Sequence, residues 1–278
     1  MPIEPSPIGL HAARGHIRLG SSNVGESEPF HVKGINWSGF ESDAAALGGL
    51  ALRELDSLLA FLALHEFNAI RFPLCVEHVL ANPTPARDAV DATLNPTLFG
   101  LAYLDLLDAV CAAAASHGLL ILLDMHRLGS GPNEHGSTKL WYDATFTVSH
   151  VKAAWESLAS RFCSHWNLFA VDVFNEPYAS SWARGNILTD WQLGAAELGD
   201  AVLGICPRLL VFVSGAGEAS ISCNLECNAT LSTPAACVGT YIDYSHSPLC
   251  TAWPAQSSTN HYWGGNLEGI ASVAPPGE

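Results

Sequence analysis

The stretch Phe169-Ala-Val-Asp-Val-Phe174-Asn175-Glu176-Pro177 decides how the chain is read. Its apolar run is short, rich in Val and Phe, and closed by proline, the pattern of a parallel strand covered on both faces. Pro177 gives no N–H to a ladder and pushes Glu176 away from the helical region, so the strand is expected to stop here. A carboxylate and a side-chain amide are then left at the carboxyl end of a core strand. In an α/β barrel that rim carries the catalytic groups. Taken alone, the tripeptide is equally a plain turn of the chain.

The rest of the sequence repeats the pattern. Apolar runs at 32–37, 68–73, 119–126 and 209–214 read as further strands. Between them, apolar residues at helical spacing (Leu52, Leu55, Leu58, Leu59, Leu62) predict a helix over 50–64. Further helices are expected over 98–117, stopped by Gly118, over 149–165, and from a Thr189 or Asp190 cap to about 205. Strand and helix alternate throughout, so the sheet is parallel and built from βαβ units. A closed barrel and an open doubly wound sheet both fit that alternation. Neither a Gly-x-Gly-x-x-Gly after the first strand nor a Gly-x4-Gly-Lys-Ser/Thr occurs, which disfavours nucleotide-binding open sheets. Polar residues recur at the strand ends: Asn36, Arg71, Asp124 with His126, Asn175 with Glu176, and Ser214. A ring of such ends favours the barrel. Residues 215–278 are too few for three more units. The expected architecture is therefore a (β/α)8 TIM barrel truncated after the loop that follows strand five. Residues 1–29 form a lead-in with a short strand over 16–19, and 30–278 form the barrel domain with a Cys-rich loop over 215–260.

Composition bounds the function. The chain is 49% hydrophobic and 14% charged, enough to bury a sizeable core. A net charge of -15 leaves no basic stripe for nucleic acid. No apolar run is long enough to span a membrane, and the start lacks the basic and hydrophobic regions of a signal peptide. The eight cysteines point the other way: Cys223, Cys227, Cys237 and Cys250 crowd a Ser-, Thr- and Pro-rich stretch, the pattern of a disulfide-stapled loop in an oxidising compartment. Their spacings match no common zinc pairing, and the twelve histidines contain no His-Glu-x-x-His, so no metal or other cofactor is expected. Trp37, Trp141, Tyr142, Trp182 and Trp263 fall in rim loops, where aromatic faces stack on sugar rings; any one of them alone is equally loop packing, and it is the set that points to carbohydrate. Trp155, Trp166 and Trp191 lie in or beside helices and read as core.

Five stretches together resemble glycoside hydrolase family 5, the cellulase family of retaining β-glycanases. They are Lys33-Gly-Ile-Asn-Trp37-Ser-Gly-Phe40-Glu41, Ile70-Arg71-Phe-Pro73, Leu123-Asp-Met-His126-Arg127, Phe174-Asn175-Glu176-Pro177 and Tyr262-Trp263-Gly-Gly-Asn266-Leu-Glu268-Gly269. The resemblance implies a (β/α)8 barrel hydrolysing β-linked polysaccharide with retention, endo-β-1,4-glucan first among substrates, as a secreted monomer. It makes Glu176 the general acid/base and sets Asn175 on the sugar 2-hydroxyl. It also makes Arg71 the cation beside the nucleophile and His126 a substrate contact. Retention needs two carboxyls about 5 to 5.5 Å apart. The family's second carboxylate follows strand seven and has no counterpart in the matched stretches, since the resemblance gives Glu268 a structural role. The alternative is therefore an inactive barrel fragment or a weak carbohydrate-binding remnant.

Overall fold

The structure, a computed structural model, describes residues 9–13, 16–20, 28–131, 138–182 and 186–216. Trp263, Glu268 and the four clustered cysteines lie outside the described residues. A small antiparallel meander opens the chain: β1 (Leu10–Ala13), β2 (His16–Leu19) and β3 (Glu28–Pro29). Five parallel strands follow, β4 (Gly34–Asn36), β5 (Ala69–Cys75), β6 (Leu120–Arg127), β7 (Leu168–Asp172) and β8 (Leu210–Phe212), in the order β4-β5-β6-β7-β8. The helices between them are α1 (Leu55–Leu64), α2 (Val76–Ala81), α3 (Tyr103–Ser116), α4 (Val148–Phe162) and α5 (Trp191–Ile205).

Strand order decides between the two architectures. A doubly wound sheet reverses its order at a switch point and carries helices on both faces. Here spatial order follows chain order without reversal. All five helices pack on one face, in a cluster with Ile70, Phe72, Ile121, Leu123, Met125, Val171 and Val173. The opposite face holds a helix-free cluster in which Leu10 of the meander meets Ala69, Leu120, Leu122 and Ala170, with Ile17 and Phe30 against it. Strand alternation explains the split, since successive side chains point to opposite faces. On β6, Ile121, Leu123 and Met125 face the helices, while Leu120, Leu122, Asp124 and His126 face inward. The inner face is therefore apolar at the amino ends of the strands and charged at their carboxyl ends.

Several expected boundaries move, among them the start of α3, at Tyr103 rather than 98, and the end of β7, at Asp172 rather than at Pro177. Two of the shifts show a tertiary reason. Pro73 does not end its strand: β5 runs on to Cys75 and pairs Pro73 with Asp124. Arg71 gives its carbonyl to the Trp37 N–H on the β4 side, and alternate residues of a strand share a side, so Pro73 turns its missing N–H toward an edge that β4 has already left. The first helix starts at Leu55 rather than at 50, and Leu52 is exposed. Asn95 sets that start: its Oδ1 accepts from the Leu55 N–H at 2.9 Å while its amide donates to the carbonyls of Leu50 and Arg53. The short helix α2 was not anticipated from sequence; six residues are too few to show a period. Asp190 caps α5 as expected, accepting from the Gln192 N–H.

Two devices fasten the helical layer. A disulfide joins Cys163 to Cys206 at the ends of α4 and α5, a pairing the sequence reading did not make. Beside it Arg208 donates to the carbonyls of Cys163, His165 and Leu168, closing the carboxyl end of α4 with positive charge. Near the other end, Trp141 lies against Trp191 at 5.1 Å and over Gly194.

Cutting the disulfide with Cys206→Ser should lower unfolding free energy by about 4 kcal/mol, the chain-entropy value for a loop of roughly this size. Denaturant titration of the variant beside the parent checks it. A Cβ on Gly194 would sit 2.5 Å from the Trp141 ring. Gly194→Ala should therefore cost about 1–3 kcal/mol by overpacking, read as a lower melting temperature.

Candidate active site

Arg71, on the inner face of β5, reaches the ends of three other strands. Its Nη1 donates to Asn36 Oδ1 at 2.8 Å and lies 2.8 Å from Asp124 Oδ2. Its Nη2 donates to Asp172 Oδ2 at 2.8 Å and to Asn175 Oδ1 at 3.0 Å. The sequence places the acids there: Asp124 and Asp172 are inward positions of β6 and β7 and face each other in register. Asp124 is fully buried and Asp172 nearly so.

Asp124 also organises His126. Its Oδ2 lies 2.6 Å from His126 Nδ1, which fixes the tautomer with the proton on Nδ1. Burial, with Arg71 next in importance, lowers the imidazole pKa, so His126 is neutral near pH 7. Its Nε2 is thereby an acceptor, and the Asn175 amide nitrogen sits 3.5 Å from it. Since Arg71 can only donate, it orients the Asn175 amide, Oδ1 toward the guanidinium and Nδ2 toward His126.

Glu176 follows directly, half-buried, with a backbone φ of 47°. Non-glycine residues rarely adopt that left-handed region, and such outliers persist where surroundings enforce them. The enforcement is visible on both sides. Asn175 N–H bonds Met125 O at 2.9 Å, and Tyr178 N–H bonds Glu176 O at 2.7 Å. The Glu176 carboxyl makes no hydrogen bond among the described residues, and its negative charge acts on both Asp124 and His126.

Burial pushes the carboxyls of Asp124 and Asp172 up, Asp172 to about 7, against the opposing pull of Arg71. Glu41, buried beyond β4, adds negative charge and accepts from the Gly39 N–H at 2.6 Å. No group of His, Cys, Asp or Glu among the described residues is placed to hold a metal ion.

The structure thus brings together four of the sequence-named residues, Arg71, His126, Asn175 and Glu176. It adds Asn36 and Asp124, noted before only as polar strand ends, and Asp172, overlooked inside the opening stretch. The signal for Asp172 was a charge inside an otherwise apolar strand, which has to be compensated. The aromatic residues divide. Trp37 donates its indole N–H to Gly48 O, Tyr142 its hydroxyl to Leu188 O, and both rings are half-buried, as is Trp182. Trp141 is 2% exposed and packed among Tyr142, Trp191 and Gly194. That corrects the rim reading of Trp141: its faces are covered, and it has no surface to lay against a sugar.

The fold and this site can be set beside known proteins. The family model described as "Cellulase (glycosyl hydrolase family 5)" matches residues 26–277. An endoglucanase of Paenibacillus polymyxa is 30% identical over 272 residues, covering 96% of this chain and 58% of that protein. The major extracellular endoglucanase of Xanthomonas campestris is 29% identical over 86% of this chain and 42% of its own length. This chain thus spans about half the length of these curated relatives. Among solved structures, a complex of an endocellulase from Pyrococcus horikoshii with cellotetraose superposes with a TM-score of 0.67 at 30% identity, over 78% of this chain and 61% of that one.

Removing the guanidinium should expose how far the site depends on it. Arg71→Ala leaves two buried carboxyls uncompensated and should cost roughly 3–5 kcal/mol near neutral pH. Because the fold raises the Asp172 pKa, that group's contribution to stability is complete below the ordinary Asp range and is lost as pH rises to about 7. The deficit of Arg71→Ala should therefore shrink toward pH 4, where protonated carboxyls need no cation. Unfolding curves at a series of pH values measure it.

Proposed function

Because this chain belongs to glycosyl hydrolase family 5, the cellulase family, we propose that it acts on β-1,4-glucan as an endo-acting, retaining hydrolase. Glu176 is the general acid/base. The observation that carries this reading is the Asn175–Glu176 pair itself: a carboxyl without hydrogen-bond partners among the described residues, held at a strand end by an enforced backbone turn, beside an amide aimed by Arg71 and His126. An acid catalyst needs its carboxyl free to meet the glycosidic oxygen, and the enforced φ holds that carboxyl at the rim.

In this mechanism Glu176 protonates the leaving oxygen in the first step and takes a proton from water in the second. Asn175 offers its amide to the sugar 2-hydroxyl, and neutral His126 accepts a hydroxyl hydrogen bond through Nε2. Trp37, Tyr142 and Trp182 supply apolar faces along the cleft, as does Trp263, which lies outside the described residues. The attacking carboxylate of the family follows a seventh strand, and the described residues comprise five parallel strands. Support for a glucan comes from relatives described as endoglucanases and from the cellotetraose bound to one structural neighbour. The Xanthomonas relative's description as extracellular and the Cys163–Cys206 disulfide favour secretion, with the chain working as a monomer, without a cofactor, nucleic acid or membrane.

Reducing-sugar release from soluble β-1,4-glucan tests the proposal. Glu176→Gln should cut turnover by about 100- to 10,000-fold while leaving oligosaccharide binding in place. A folded chain that binds cello-oligosaccharide but releases no sugar would overturn the enzymatic reading in favour of a binding module.

A further inference from the structure

Asp124 and Asp172 confront each other across β6 and β7 with one cation between them. Each gives Oδ2 to Arg71, and each keeps a buried Oδ1 with no partner among the described residues. The surrounding charges do not restore balance. Glu41 from beyond β4 and Glu176 from beyond β7 act on Asp124 with further negative charge, Arg127 stands at the end of β6, and His126 is neutral. Two buried carboxylates sharing one guanidinium cannot both ionise without an uncompensated charge.

The hydrogen bonds decide which one keeps its proton. Asp124 Oδ2 receives both Arg71 and His126 Nδ1–H, the environment of an anion. Among the described residues Asp172 Oδ2 receives Arg71 alone. The nitrogen that serves Asp172 is the one that serves Asn175, so a change on Asp172 acts on the amide beside Glu176.

We propose that Asp172 is held protonated beside an ionised Asp124, and that its ionisation, by drawing Arg71 Nη2 toward itself, loosens the Asn175 amide. Asp172 is thus a positioning residue, and the proton it gains or loses is exchanged with solvent. Hydrogen bonds to an ionised carboxylate are about twice as strong as those to a neutral one, which supplies the pull. The rise of the Asp172 carboxyl to about 7 places the change near neutrality. The consequence for catalysis rests on the proposed function, but the shared proton does not.

The test uses the full chain and no substrate. Infrared titration of the parent should show the carbonyl band of a protonated carboxylic acid persisting well above the ordinary Asp range and fading near neutral pH. With Glu176→Gln in both chains, so that the proposed acid gives no carbonyl band of its own, Asp172→Asn should abolish that band. The Asn175 side-chain amide resonance, assigned by its loss in Asn175→Ala, should move with the same midpoint in the parent and stay pH-invariant in Asp172→Asn. Absence of the band, or its survival in Asp172→Asn, overturns the shared proton. An amide that ignores the titration overturns the positioning role. If Asp172→Asn fails to fold, Asp124→Asn decides: with the second carboxylate gone the midpoint at which the band fades should fall, and an unmoved midpoint overturns the proposal. A chain without hydrolytic activity would overturn the proposed function and leave these readouts intact.

Discussion

Arg71 is the constraint on which the rest of the site depends. A single guanidinium ties β5 to the ends of β4, β6 and β7 through Asn36, Asp124, Asp172 and Asn175. Only a planar cation with several fixed donors can address four acceptors at once; a lysine ammonium could neutralise one acid but would not hold this geometry. The arrangement is also obligatory. The inner face below it is apolar, packed with Leu120, Leu122 and Ala170, so the carboxyls above have little water to turn to.

From Arg71 the order passes outward. Asp124 sets the tautomer of His126, and Arg71 sets the orientation of Asn175. Asn175 is in turn fastened to β6 through its backbone, so the next residue, Glu176, is presented at an enforced left-handed turn. Each step converts a buried electrostatic requirement into a direction for a functional group. This is what preorganisation means physically: polar groups at the strand ends are oriented by contacts that the fold already makes. Farther out, Trp141 against Gly194 and Trp191 pins the loop before α4 to α5, and the Cys163–Cys206 bridge with the Arg208 clamp closes the far ends of α4 and α5.

Much of this was legible in the residues. Apolar runs such as Leu119 to Leu123 and the helical period of Leu55, Leu59 and Leu62 are burial requirements written locally, and the corresponding β6 and α1 formed. Asn175 and Glu176 could be singled out because they follow an apolar run and precede a proline, although β7 itself ends at Asp172. Even where a boundary was misplaced, as at Pro73, the error lay in which neighbour the missing N–H would face, which is a property of the sheet and not of the residue.

The sequence by itself therefore determined the alternation of strand and helix and the family-like motifs, and it marked Arg71, His126, Asn175 and Glu176 as polar groups at strand ends. Only the tertiary structure decided the unreversed strand order, the burial of Trp141 and the start of α1 at a distant Asn95. It also decided the disulfide partner of Cys163 and the sharing of Arg71 between two aspartates. The physical reason is range. Periodicity, proline and glycine act within a few residues, whereas Arg71 and Asp172 stand 101 positions apart and meet only because parallel strands bring equivalent positions into register.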